Sequence, residues 1–116
     1  MGLDDCIFCK IIKGEIPSEK LYETEQVIAF KDISPASPHH YLIIPKIHKA
    51  SLNEFDQEHK LILGEILLAA KEIAVKQGFA ESGYRTVINT GKDGGQTVHH
   101  LHMHLLAGRE HKWPPG

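Results

Sequence analysis

The run His100-Leu101-His102-Met103-His104-Leu105-Leu106 alternates three histidines with apolar residues near the end of this 116-residue chain. A two-residue period is typical of a β-strand, in which successive side chains point to opposite faces of the sheet. The pattern therefore predicts a strand with Leu101, Met103 and Leu105 facing a core. The three imidazoles then share the other face, where they suit anion binding, metal binding or nucleophilic catalysis.

The rest of the chain predicts two helices and four further strands. Apolar residues at helical spacing predict a short helix over 6–13 and a long helix from an N-cap at Asp56 to about Gln77. Strands are predicted at 21–23, 27–30, 40–45 and 84–89, ahead of the histidine strand. This order of elements favours an α+β domain with an antiparallel sheet.

Composition restricts the function classes. The length predicts one domain over 1–116, and 41% hydrophobic residues are enough for a single core. A net charge of −2 gives no electrostatic case for nucleic-acid binding. No apolar run approaches the ~20 residues of a membrane span, and the acidic start does not look like a signal peptide. We therefore expect a cytoplasmic protein with neither a membrane nor a nucleic-acid partner.

Several segments together resemble one known superfamily. The loop Gly94-Gly95-Gln96-Thr97-Val98-His99, followed by the alternating histidines, resembles the signature of the histidine-triad (HIT) superfamily. Residues 32–35 and 40–46 resemble the nucleotide-binding half of the same superfamily. Asn89, Gly108-Arg109 and the terminal Trp113-Pro114-Pro115-Gly116 resemble its Hint branch, the purine nucleoside phosphoramidases.

The resemblance implies an architecture. We expect the HIT-like α+β fold, a five-stranded antiparallel sheet with one long and one short helix. The family forms symmetric dimers, so the sheet is expected to extend across a homodimer. The tail 109–116 is expected at that interface, with Trp113 as its anchor.

The resemblance also implies a reaction. It is the hydrolysis of purine nucleoside 5′-monophosphoramidates, in which the P–N bond between AMP and an amine is cleaved. By similarity His102 is the nucleophile, and it forms a covalent nucleotidyl-histidine that water then hydrolyses. His104 and His40 resemble the family's supporting histidines, and Thr97 stands where a hydroxyl donates to the phosphate or the leaving group.

Nucleotide contacts follow from the same comparison. Asp32 resembles the carboxylate that accepts hydrogen bonds from the ribose hydroxyls, although it also suits a turn before Ser34. Asn89 resembles a phosphate-orienting residue, or it caps a turn. The remaining expected nucleotide contacts are Ile33, Phe8 and Ile11 around the base, where core packing is an equal explanation, and Gln96, Thr97, His102 and His104.

A metal site is a separate expectation. Cys6, Cys9, His48 and His100 resemble the zinc set of some superfamily members, and two thiolates with two imidazoles suit tetrahedral zinc. The alternative is two free thiols on a short helix. Such a zinc would be structural, and no cofactor is expected to be required for the chemistry.

Other functions remain open from the sequence. A dinucleoside polyphosphate hydrolase would use the same site on a longer substrate. A nucleotide-sensing or partner-binding module would turn substrate over only incidentally. A histidine-rich zinc-binding protein would bind several zinc ions and no AMP.

Overall fold

The computed structural model describes residues 5–116, and its strands form one five-stranded antiparallel sheet. The sheet order is β1-β2-β3-β5-β4, which confirms the predicted fold class. In chain order the elements are α1 (Ile7–Ile12), β1 (Lys20–Glu23), β2 (Val27–Lys31), β3 (His39–Pro45), α2 (Lys60–Gln77), β4 (Tyr84–Val87) and β5 (Met103–Ala107).

Two apolar clusters cover the two faces of the sheet. On one face the buried side of α2 packs over alternate residues of the central strands. On the other face α1 packs over the intervening residues, which include Ile28 and Phe30 of β2 and Leu42 and Ile44 of β3. Because successive strand residues point to opposite faces, β2 and β3 are buried on both sides and read as continuous apolar runs.

The long helix ends as predicted and begins slightly later. Asp56 caps a 3₁₀ turn over Gln57–His59, and α2 follows directly from Lys60. The helix ends at Gly78, whose φ of 82° is the left-handed conformation that glycine adopts without steric cost. Gly78 therefore ends the helix, as predicted, by adopting this conformation.

The two edges of the sheet are β1 and β4. β4 ends at Val87, two residues before the predicted strand end at Asn89. Within the described residues, none of the helices has both the length and the apolar character needed to cross a bilayer. The cytoplasmic location stays a prediction.

Candidate active site and metal centre

The histidine run is only partly a strand. β5 begins at Met103, so His104 lies in the sheet whereas His100–His102 form irregular backbone before it. The prediction of one strand through the whole run was wrong. The backbone N–H of Leu101 donates to the carbonyl of Lys49 at 2.9 Å, so the segment is held by a loop and not by the sheet ladder.

The predicted division into two faces is confirmed despite this. Three alternating apolar residues of the run lie buried in the cluster under α2, namely Leu101, Met103 and Leu105. On the opposite side the rings of His100 and His102 lie edge-on to Phe8, with centroid distances of 5.9 and 5.2 Å. Alternation thus separates the faces even where the strand has not yet begun.

His102 is held in one tautomer by the backbone. Its Nδ1 lies 2.8 Å from the carbonyl oxygen of His100, which can only accept a hydrogen bond. Nδ1 therefore carries the proton, and in the neutral ring Nε2 keeps a free lone pair. His102 is buried, and its ring centroid lies 5.1 Å from that of His104.

A directional hydrogen-bond chain orients the other two rings. The backbone N–H of Ala36 donates to Nδ1 of His40 at 2.9 Å, so the proton of the neutral His40 ring is on Nε2. That Nε2 lies 2.8 Å from Nδ1 of His104 and donates to it. His104 must then carry its own proton on Nε2, where it remains available as a donor to a ligand.

Burial keeps both of these rings neutral at pH 7. Desolvation, followed by the charges of His102 and His40, lowers the pKa of His104 to about 4. Desolvation also lowers the pKa of His40, and the nearby Asp32 carboxylate opposes that shift. His40 and His104 therefore act as neutral donors and acceptors.

Asp32 lies at the edge of this group. Its Oδ1 accepts from the backbone N–H of Ser34 at 2.8 Å, which is the predicted turn role, and its Oδ2 lies 3.4 Å from Nε2 of His40. Asp32, His40 and His104 bring three potential ligand atoms within 4.8 Å. The lone pair of His40 is already occupied by Ala36, however, so this cluster is poorly suited to a metal ion.

The three apolar candidates for a base pocket differ in exposure. Ile33 follows Asp32 and is 95% exposed. Phe8 and Ile11 are buried in the α1 cluster and act as core residues in the protein without a ligand. Only Ile33 therefore presents a free apolar surface to a nucleotide.

The loop before the histidines contains three further candidates. Thr97 is exposed and Asn89 is half-buried. The Gln96 side chain donates to the carbonyls of Ala50 and Val98 at 2.6 and 3.0 Å, and accepts from the N–H of Gly91. Gln96 therefore braces its own loop, and both N–H donors of its amide are engaged there.

Four metal-ligand side chains converge beside the histidines. Ligand atoms of Cys6, Cys9, His48 and His100 all lie within 4.8 Å of one another. Nδ1 of His48 lies 3.2 Å from both the Cys9 sulfur and Nδ1 of His100. The structure thus brings together the four residues of the predicted zinc set, which come from α1, the segment after β3 and the histidine run.

The protonation states of this cluster fit a metal. Nε2 of His100 lies 2.9 Å from the carbonyl oxygen of Pro45 and donates to it, which leaves Nδ1 unprotonated toward the cysteines. Burial lowers the pKa of His100 to about 4 and raises the pKa of the Cys9 thiol to about 11. A buried S₂N₂ set with an oriented histidine suits Zn²⁺, which would displace the thiol protons.

No pattern in the sequence indicates which backbone groups orient these rings. These are the N–H of Ala36 and the carbonyls of Pro45 and His100. A requirement for an acceptor at the expected nucleophile, His102, can be anticipated from chemistry, but the group that meets it is visible only in the fold.

Comparison with known proteins places the chain in a family. Residues 5–113 match the family model described as "Scavenger mRNA decapping enzyme C-term binding". The chain is 49% identical over 106 residues to the purine nucleoside phosphoramidase of Escherichia coli K12, covering 91% of this chain and 89% of that protein. It belongs to the histidine-triad (HIT) family.

Two further similarities agree with the HIT assignment. The chain is 52% identical, over an alignment of 118 residues, to the 14 kDa zinc-binding protein of Zea mays, covering 98% of this chain and 91% of that one. The crystal structure of a HIT family hydrolase from Legionella pneumophila superposes with a TM-score of 0.94 at 47% identity. That match covers 97% of this chain and 100% of the other. The HIT resemblance and the HIT fold are therefore confirmed.

The lowered pKa of His104 predicts an acid-sensitive HIT domain. Because the folded pKa is about 4 against an ordinary value of 6.5, the unfolded chain binds more protons between these pH values. Stability should therefore be lost as the pH falls from about 6.5 to about 4, by up to about 1.4 kcal/mol per pH unit for this ring. Urea unfolding with chelator present, from pH 7.5 to 4.5, measures this slope.

The matched variant is His104→Gln, which keeps a polar side chain without the titration. Its free energy of unfolding should fall less steeply over the same range. Parallel curves for the two proteins would contradict a buried neutral His104.

Proposed function

We propose that this HIT protein hydrolyses purine nucleoside 5′-monophosphoramidates to the nucleoside monophosphate and an amine. The observation that carries the proposal is the state of His102, whose Nδ1–H is fixed on the His100 carbonyl at 2.8 Å. That bond leaves Nε2 as the nucleophilic atom. The name of the similar Escherichia coli protein, purine nucleoside phosphoramidase, supports the choice of bond.

The first step is attack of Nε2 of His102 on the α-phosphorus. A bond forms from nitrogen to phosphorus while the P–N bond to the leaving amine breaks, and the departing nitrogen takes a proton from water, directly or through the Thr97 hydroxyl. The carbonyl of His100 accepts from Nδ1–H of His102 and so stabilises the positive charge that develops on that ring. The His104 Nε2–H donates to a phosphate oxygen, held in that role by the chain from Ala36 through His40.

The second step is hydrolysis of the nucleotidyl-histidine. Water attacks phosphorus, the bond to Nε2 of His102 breaks, and the nucleoside monophosphate is released with the histidine regenerated. The exposed Thr97 hydroxyl serves as a donor to the phosphate or the leaving group in either step. Asn89 orients the phosphate from the end of β4.

The nucleoside lies toward the loop after β2. Oδ2 of Asp32 is not used by the turn, and it accepts hydrogen bonds from the ribose hydroxyls. The exposed Ile33 covers one face of the purine. This arrangement binds AMP or GMP as product.

We further propose that the four-residue cluster holds one structural zinc. Cys6, Cys9, His48 and His100 would supply four protein ligands, the number that a closed structural zinc site uses. The zinc-binding name of the similar maize protein supports this. The phosphate chemistry is supplied by the histidines and requires no cofactor.

The active protein is proposed to be a homodimer of single domains spanning 1–116. β4 is an edge strand, and an unpaired edge is a template for pairing with a second copy. Exposed leucines of α2, Leu61 and Leu68, add apolar surface of the kind that marks interaction sites. We propose that the tail 109–116, whose Trp113 is exposed, lies at the same interface.

Removing the nucleophile should separate binding from turnover. His102→Ala should bind AMP within about twofold of wild type, yet lose adenosine phosphoramidate turnover by at least about a thousandfold. Brief mixing followed by intact-mass analysis should show an AMP adduct on wild type and none on the variant. The exposed neighbour variant His99→Ala is the control and should retain activity.

A side-by-side assay decides the substrate class. Wild type should prefer adenosine phosphoramidate to diadenosine polyphosphate in kcat/KM. Activity retained in His102→Ala, or a preference for the dinucleotide, would contradict the proposed reaction.

The zinc proposal predicts one zinc per chain by elemental analysis. Cys6→Ser should purify without zinc, because serine is a poor zinc ligand but still caps α1. His99→Ala should retain the metal. An apo wild-type protein that takes up no added zinc would contradict the proposal.

The dimer proposal predicts sedimentation at twice the chain mass of 13.0 kDa. Thr86→Lys places a charge on the exposed side of β4, close to its symmetry mate, and should give a monomer. Gln26→Lys adds the same charge at the β1–β2 turn and should leave the dimer intact. A dimeric Thr86→Lys protein would contradict pairing through β4.

A further inference from the structure

His100 belongs to the metal cluster and to the active site at the same time. Its side-chain Nδ1 lies 3.4 and 3.6 Å from the sulfurs of Cys6 and Cys9. Its backbone carbonyl accepts the Nδ1–H bond that fixes the tautomer of His102. A single residue therefore joins the ligand set to the nucleophile, with the ligand on its side chain and the acceptor on its backbone.

Phe8 provides a second connection to the same ring. It lies in α1 between the two cysteines, and its ring meets that of His102 edge-on at 5.2 Å and 75°. Phe8 also meets the ring of His100 at 5.9 Å. The carbonyl that fixes His102 belongs to the His100 segment, and the aromatic ring beside His102 belongs to Phe8 of α1. These are the two segments that a metal at the four-residue cluster would join.

The hydrogen bonds between these two segments are weak. The thiols of Cys6 and Cys9 face imidazole nitrogens at 3.2 to 3.6 Å, and S–H groups are weak hydrogen-bond donors. Its other hydrogen bonds tie the His100 segment to the end of β3 at Pro45 and to the following loop at Lys49, and those bonds do not reach α1. Metal–ligand bonds would replace the weak contacts by a rigid link.

We propose that His100 and Phe8 are positioning residues for His102, and that metal loading at the cysteine–histidine cluster sets how firmly they hold it. The proposal rests on the nucleophilic role of His102 and on zinc as the structural ion. Zinc-free protein keeps its sheet and its Asp32 loop, since neither supplies a ligand. Its His102 ring is held less firmly in the tautomer and orientation that the His100 carbonyl sets.

Removal of zinc by a chelator releases α1 from His100. The attack step slows because the nucleophile is misaligned. Nucleotide affinity is unchanged, because Asp32 and Ile33 lie on the loop after β2.

The direct test reads the His102 ring by nitrogen-15 NMR of the imidazoles, and needs no substrate. The Nδ1–H of His102 should exchange with solvent at least about tenfold faster in chelator-stripped wild type than in the zinc-loaded protein, and reloading should reverse this. His48→Ala, which removes one ligand and leaves Phe8 and His100 in place, should behave as the stripped protein. His99→Ala should behave as the loaded one.

The kinetic test separates attack from binding. In single-turnover mixing with adenosine phosphoramidate, stripped protein should form the His102 adduct about tenfold more slowly, while its Kd for AMP stays within about twofold. Equal imidazole exchange in both forms would overturn the proposal, as would a parallel loss of AMP affinity. Unfolding on chelation, seen by circular dichroism, would also overturn it, because the metal would then stabilise the whole fold.

The two proposals fail in different ways. If loaded wild type forms no adduct, the phosphoramidase function is wrong, and the NMR comparison still decides whether the cluster positions His102. If adducts form equally fast with and without zinc and imidazole exchange is unchanged, only the positioning proposal is wrong.

Discussion

Pairing of β3 with β5 at the centre of the sheet is the contact on which the active-site geometry depends. Its register sets Leu42 opposite His104 and His40 opposite Leu106. The two histidines are therefore diagonal neighbours on one face, and their rings close the gap to 2.8 Å although they are 64 residues apart in the chain. A slip of one residue would send His104 to the α2 face and break the pair.

Burial explains why this geometry defines chemistry as well as shape. An imidazole in a poorly solvated site avoids charge, and it must hydrogen-bond through both nitrogens or leave one free for function. His40 and His100 each have a nitrogen paired with a backbone group, at Ala36 and Pro45. Among residues 5–116 His102 is paired on Nδ1 alone, so Nε2 is the nitrogen left for the proposed substrate.

The sequence predicted what depends on periodicity. The alternation in the histidine run assigned Leu101 and Met103 to the core, and the helical stripe with Gly78 located α2. It did not predict that the run lacks ladder hydrogen bonds before Met103, because the partner of Leu101 is a loop carbonyl distant in sequence. Nor did it predict that both N–H donors of the Gln96 amide are engaged by backbone carbonyls, since that depends on the distance to Ala50.

The short helix shows why the Cys-x-x-Cys motif and the histidine run form one structural unit. A six-residue helix is not stable in water on its own, so α1 exists because Phe8 and Ile11 bury against the sheet. Its N-cap is Cys6, whose sulfur accepts from the N–H of Cys9 at 3.3 Å while lying beside His100. One thiol thus begins the helix and contributes to the metal cluster. Serine could replace it in the first role but not in the second, so the cap can be retained while the link to His100 is lost.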